Sequence, residues 1–297
     1  MIAFGCSMTV PESYERHARP GIELAAEPDS QVFAYQAAGS ISRSYNLILD
    51  KAAGAEDLEA LVLVHQDVEI VDRELCPKLR DALRDQEVGV VGSVGAVGVH
   101  SIAWWEGSLT WASSVYRYGD AGGGEMPAVR WNGDAAPPYV GTGEVDSLDG
   151  CLLALSPWTV RNLRFDESLG QLHGFDFDFC QQVRAAGHKV VTADLQVVHH
   201  HSLHLVTDNE PWVAAHIRVA EKWDAEERDW KRRARTAEAE AGAARLLVAS
   251  RQYQGDAIEK EFELRLNEVT QSLSWRITAP LRRLNAARRT MRRRGRA

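Results

Sequence analysis

The chain has no Cys-x-x-Cys pair, no basic leader and no apolar run of the roughly 18 residues needed to cross a bilayer. Its four cysteines, Cys6, Cys76, Cys151 and Cys180, are scattered, and three of them lie in apolar stretches. Free, buried thiols in a reducing cytoplasm are the expectation. Met1 to Val10 carries no basic n-region, so a signal peptide is not expected. Positive charge is also short. The net charge of −8 argues against a general nucleic-acid binder. No His-Glu-x-x-His pattern is present, which removes the usual helical zinc-hydrolase motif. No internal repeat is found.

What is present is an alternation of strand and helix patterns. Ile2 to Cys6 reads as a strand opening into a loop at Ser7–Pro11. Gln31 to Tyr35 reads as a second strand, and Ser42 to Ala53 as a helix stopped by Gly54. Leu61-Val62-Leu63-Val64 is a short, wholly apolar run, as expected of a strand buried on both faces. Leu75 to Arg84 is helical in spacing, and Val88 to Val91 is another buried strand. Order returns around Asp149-Gly150, followed by a helix from Asp178 to Ala186 and strands at His188–Thr192 and Leu195–Val198. This alternation predicts an α/β fold with a mostly parallel central sheet. Ligands then bind beyond the carboxyl ends of the strands, where Asp67 and the Ser7–Pro11 loop fall. Tyr118 to Glu144, rich in Gly, Pro and aromatics, reads as a mobile flap, with a plain surface insertion as the alternative.

Three clusters carry candidate chemistry. Asp67, with Glu69 two residues on, follows the buried run directly. A carboxylate desolvated on one side needs a cation, and a divalent metal on a diphosphate would supply it. The same Asp could instead cap the next helix. His173-Gly174-Phe175-Asp176-Phe177-Asp178 places two acids just ahead of a helix, where the dipole favours negative charge. There Asp176 is a candidate general base, and Asp178 a candidate base or N-cap. His199-His200-His201 ends a strand, so His199 and His201 face one way and His200 the other.

In order and spacing these segments resemble GT-A-fold glycosyltransferases of family 2, in the subset whose metal motif reads His-Gln-Asp rather than Asp-x-Asp. The matching stretches include Ser44-Tyr45-Asn46, Val64-His65-Gln66-Asp67-Val68, Asp149-Gly150-Cys151, Arg164-Phe165-Asp166, His173 to Cys180 and His199. The resemblance covers roughly residues 1 to 205. It implies transfer of a sugar from a nucleoside-diphosphate sugar to an acceptor hydroxyl with inversion, helped by Mn²⁺ or Mg²⁺. By position, Asp67 would hold the metal, with His199 or His201 completing the site. Asp176, with Asp178 beside it, would be catalytic. Ser7, Thr9, Pro11, Arg43, Asn46, Gln66 and Asp67 would border the donor. Asp149, Gly150 and His173 would line the sugar or acceptor pocket. Read from the residues alone, Trp104 and Trp105 offer either an aromatic platform for a sugar face or a pair packed in the core. Two departures stand out. His65 replaces the first acid of Asp-x-Asp, and Phe175 stands where many relatives have Glu. Alternatives are a non-catalytic binding or assembly protein with this fold, and a sugar-phosphate nucleotidyltransferase. The latter needs a Gly-rich basic loop after the first strand, and Ser7–Arg16 has none.

Residues 1–222 are expected to form the transferase domain and 223–297 a helical extension. The extension ends in nine Arg and no acid from Arg276 to Ala297, leaving −17 on the rest of the chain. Ser272 to Arg282 resembles a tail of bacterial polysaccharide-assembly transferases. The Arg-rich end suits either an anionic membrane surface or a solvated tail, free or folded against the acidic body. Expected partners are therefore the donor, a glycan, lipid-linked or small-molecule acceptor, the inner membrane face and a second copy of the chain, but no nucleic acid. The expected location is cytoplasmic, peripheral at that membrane.

Overall fold

A computed structural model describes residues 1–99, 101–103, 108–111, 114–118, 124–127, 143–200 and 210–223, with short pieces at 237–238, 241–242, 264, 266–267 and 270–272. The chain divides into two units, Met1–Val248 and Ala249–Ala297, and every element below belongs to the first.

The chain begins with strand β1 (Ile2–Met8). A continuous helical stretch follows: α1 (Pro11–Ser13), a π-helical turn (Tyr14–Ala18) and α2 (Arg19–Ala25). Then come β2 (Gln31–Gln36), α3 (Ile41–Ala52), β3 (Ala60–Val64), β4 (Val68–Ile70), α4 (Leu75–Ala82), β5 (Val88–Gly92) and β6 (Val94–Val97). Strands β7 (Ser108–Trp111), β8 (Ser114–Tyr118), β9 (Gly124–Pro127), β10 (Gly143–Glu144), β11 (Ser147–Leu148) and β12 (Leu152–Leu155) lead to α5 (Pro157–Asn162). The described order closes with α6 (Phe175–Ala185), β13 (Lys189–Thr192), β14 (Val197–His199) and α7 (Glu210–Trp223).

The central sheet has seven strands in the order β10-β13-β5-β12-β3-β1-β2. It is mostly parallel. β2, β1, β3, β5 and β13 share a direction, while β12 and β10 run against their neighbours. Side-chain alternation splits the core across its two faces. On β3, Ala60, Val62 and Val64 join Tyr14, Ile22, Leu75 and Leu79 from the helices of one face. Leu61 and Leu63 join Tyr45, Ile48, Val160, Phe179 and Val183 from α3, α5 and α6 on the other. Both faces are thus covered, which is why the run reads as continuously apolar. Each fully buried Leu or Val contributes about 1.5–3 kcal/mol.

Several boundaries move from the sequence expectation. Pro11 opens a helix instead of continuing a loop, since its missing N–H is harmless at a first helical position. α6 starts at Phe175, so Asp176 and Asp178 lie inside its first turn; Gly174, at φ +80°, turns the chain just before it. The strand expected at Leu195 starts at Val197 and leaves the central sheet. β14 pairs with β4 and β8 in a separate four-stranded sheet, β4-β14-β8-β9. Part of the expected flap is ordered into strands: Gly124–Pro127 pairs with Ser114–Tyr118, and Gly143–Glu144 with β13. Residues 119–123 and 128–142 of it lie outside the described residues. All four cysteines are free and buried, as expected. Among the described residues, no helix is long and apolar enough to cross a membrane.

Candidate functional site

β3 ends at Val64 and the chain turns at once. The Val68 N–H donates to the His65 carbonyl at 3.1 Å, closing a four-residue turn. The His65 N–H donates to the Cys151 carbonyl at 3.0 Å, and the His200 N–H to the Asp67 carbonyl at 2.8 Å. The turn is therefore fastened to the head of β12 on one side and to the end of β14 on the other. Here the antiparallel course of β12 matters. It brings the start of β12, with Asp149 and Gly150, to the carboxyl edge of β3.

Three donor groups converge at this edge. Nitrogens of His65 and His199 and an Asp67 oxygen all lie within 4.8 Å of one another. His199 Nε2 is 3.5 Å from Asp67 Oδ1. Burial opposes protonation of His199, but the charge and hydrogen bond of Asp67, with Asp149 beyond, outweigh it and raise the pKa. Burial pushes the His65 imidazole down, outweighing Asp67, and keeps it neutral, the state a metal ligand requires. His65 Nε2 is buried and has no hydrogen-bond partner among the described residues. A buried polar atom left unpaired normally costs about 1–3 kcal/mol, and an ion at this position would remove the cost. Asp149, Cys151 and His199 form a second donor set. It depends on a thiol that burial, then Asp149, push well above its usual range, so the first set is the better metal site.

His65 joins the candidate donor set although the sequence analysis reads it only as the loss of a carboxylate. A signal was there. Residues 65 and 67 are two apart at the end of a buried strand, so a single turn can bring an imidazole and a carboxylate together.

Asp176 approaches from α6. Its Oδ2 accepts from the Gly150 N–H at 3.1 Å and its Oδ1 from the Phe177 N–H at 2.9 Å. Burial first, then the charge of Asp149, push its carboxyl up to about 6 against those hydrogen bonds. Gly150 is required by this approach: a Cβ there would sit 2.4 Å from the Phe175 ring and 3.0 Å from the Asp176 Cβ. Phe175 fills the space below, its ring within 6.0 Å of those of Tyr45, His65 and Phe165. That apolar setting raises the Asp176 pKa.

Asp178 has a different place. It is fully buried, with Oδ1 2.8 Å from both Lys222 Nζ and Trp223 Nε1 of α7 and Oδ2 2.8 Å from Gln182 Nε2. Its carboxylate anchors α7 and leaves no free oxygen for a substrate. Asn46 is also engaged elsewhere. Its amide donates to the Phe165 carbonyl and to Glu167 at 3.0 Å and accepts from the Phe165 N–H at 2.8 Å.

The expected donor-side residues gather at the turn through Gln66. Its Oε1 accepts from the Thr9 and Val10 N–H groups at 2.8 Å, and its Nε2 donates to Thr9 Oγ1 at 2.7 Å. Ser7 is buried at the end of β1, Pro11 begins the next helix, and Arg43 is exposed in the first turn of α3. His173 is half-buried, and burial lowers its pKa. Trp104, Trp105 and His201 lie outside the described residues.

Residues 13–236 match the family model described as "Glycosyltransferase like family". This chain belongs to that family. It is 32% identical over 211 residues to the streptomycin biosynthesis protein StrF of Streptomyces griseus, a match spanning 68% of this chain and 67% of that one. Family and relative together support a glycosyltransferase role. Among solved structures, the mannosyltransferase PcManGT of Pyrobaculum calidifontis, in complex with GDP-Man and Mn²⁺, aligns with TM-score 0.44 and 14% identity. That alignment covers 95% of this chain and 86% of PcManGT. In family terms, the convergence of His65, Asp67, His199, Asp149 and Asp176 at one sheet edge is the glycosyltransferase's candidate centre.

Proposed function

We propose that this chain is an inverting glycosyltransferase that uses a nucleoside-diphosphate sugar, with a divalent ion held by His65, Asp67 and His199. The observation that carries the reading is the convergence of those three donors beside a half-buried carboxylate, Asp176. The donor set fits a metal, because His65 Nε2 is buried and unpartnered among the described residues. Two imidazoles and one carboxylate favour Mn²⁺ over Mg²⁺, which prefers oxygen ligands and keeps its waters. When bound, the ion neutralises charge developing on the leaving diphosphate.

The chain's own residues do the rest. Gln66 holds the Thr9–Val10 loop against the turn, shaping the donor side of the site. Asp176 accepts the proton of the acceptor hydroxyl as that oxygen attacks the anomeric carbon from the face opposite the diphosphate. Its pKa of about 6 leaves it ionised near neutrality and yet a competent base. Asp149 keeps that pKa high and, with Gly150, borders the acceptor side. The Arg-rich segment from Arg276 to Ala297 attracts anionic lipid at about 1 kcal/mol per residue near the surface. StrF is named for streptomycin biosynthesis, which brings small-molecule acceptors into the screen beside glycans and lipid-linked sugars.

Calorimetry with nucleoside diphosphates tests the reading. Binding should require Mn²⁺ and should be lost in Asp67→Ala. Unchanged, metal-independent binding by that variant would sink the assignment. A thermal-shift panel of nucleotide sugars with Mn²⁺ then identifies the donor.

A further inference from the structure

A second group of metal-ligand atoms lies one step along the same strands. His199 turns toward Asp67. His200, next in the chain, turns toward Glu69 and the π-helical turn Tyr14–Ala18. His200 Nε2 meets Glu69 Oε2 at 2.8 Å. The His17 ring stacks on the His200 ring with centroids 3.8 Å apart and planes 22° from parallel. Nitrogens of both rings and an oxygen of Glu69 all lie within 4.8 Å of one another.

Several features set this group apart from a chance surface cluster. Its members come from three segments far apart in the chain, and all three are half-buried. His17 is presented by a π turn, a rare geometry that recurs at functional sites. Two imidazoles and a carboxylate also form a known donor set for zinc, with ligand atoms about 2.0–2.2 Å from the ion. Donors around such an ion sit roughly 3–3.5 Å from each other, so closing the set requires the stacked imidazoles to turn out of the stack until a nitrogen of each faces the ion. The Glu69–His200 hydrogen bond already holds two of the three ligands together.

We infer that His17, Glu69 and His200 form a second transition-metal site, suited to Zn²⁺, that pins the Tyr14–Ala18 turn to the β4–β14 pair. The pinned turn follows the Thr9–Val10 loop that Gln66 holds, with only the three residues of α1 between them. An ion here stiffens the chain bordering the donor without touching the donor.

The test uses the metal-free full chain and Zn²⁺ itself, measured by calorimetry, in an Asp67→Ala background. That background disables the His65–Asp67–His199 set, so failure of the catalytic-metal reading cannot mimic failure of this one, and the His17 and Glu69 variants separate this site from the remaining Asp149, Cys151 and His199 donors. Asp67→Ala should bind Zn²⁺, and its melting temperature should rise on binding. Adding His17→Gln or Glu69→Gln should weaken binding by about 100-fold or more, since even outer-shell changes cost 10–100-fold, and should abolish the thermal shift. Circular dichroism and the metal-free melting temperature check that each variant is folded. Absence of Zn²⁺ binding in Asp67→Ala, or parent-like affinity in either further variant, overturns the site.

Discussion

At the scale of single residues, Asp176 is the group most sensitive to pH. A base must be ionised, so kcat/KM should fall about tenfold per pH unit below its pKa, which is raised to about 6. A profile that stays flat to pH 4.5 would remove Asp176 from the role. The same shift has a stability cost with a definite sign. Because the folded pKa lies above the unfolded one, the contribution is fully present below about pH 3.9 and is lost as pH rises through about 6. Asp176→Asn should therefore be more stable than the parent at pH 7.5, by on the order of 1 kcal/mol after losing a hydrogen bond from Gly150, while transfer is abolished. Melting curves at pH 7.5 and 4.5 check this; a gain only at the lower pH would contradict it. His65→Ala should bind Mn²⁺ at least about tenfold more weakly with an unchanged fold, read by calorimetry. Asp67 and Asp176 were legible in the chain because each interrupts or opens an apolar pattern. The ligand role of His65 was less so, since it follows from the turn that rotates it toward His199.

At the scale of elements, α7 is held by two carboxylates. Lys222 reaches both Asp166, at 2.7 Å, and Asp178, at 2.8 Å. Burial opposes its charge, but the two acids outweigh it and raise its pKa. Breaking a buried pair costs about 3–5 kcal/mol. Lys222 is partly exposed, so Lys222→Ala should cost about 2–3 kcal/mol in urea melts. The turnover of the folded fraction should change little; a hundredfold loss of kcat at normal stability would return Asp178 to the catalytic machinery. Leu61–Val64 announced itself as an unbroken apolar run, and the helix ending near Ala52 by its period. The small sheets and the direction of β12 did not. They arise from pairing between segments far apart, and a four-residue strand reads the same in either direction. The pairing of Asp178 was hidden for a similar reason, because its partner comes from α7, 44 positions beyond it in the numbering.

At the scale of the whole molecule, the charge is divided between an acidic body and an Arg-rich end. The full chain should co-sediment with vesicles containing anionic lipid at low salt and be released as salt rises. A chain ending at Val248 should stay in solution yet keep Mn²⁺-dependent nucleotide binding; equal co-sedimentation of both would remove the tail from that role. The sheet order has its own consequence during synthesis. β12 fills the slot between β3 and β5, but it leaves the ribosome roughly 60 residues after β5, about 3–12 s later at 5–20 residues per second. For that interval the nascent chain carries two of its most apolar strands with facing edges unpaired. The strand that completes the edge carrying the candidate site is also the one that closes this gap. A chaperone that shields β3 and β5 until Leu155 emerges should raise the yield of active enzyme more than one acting on the finished chain.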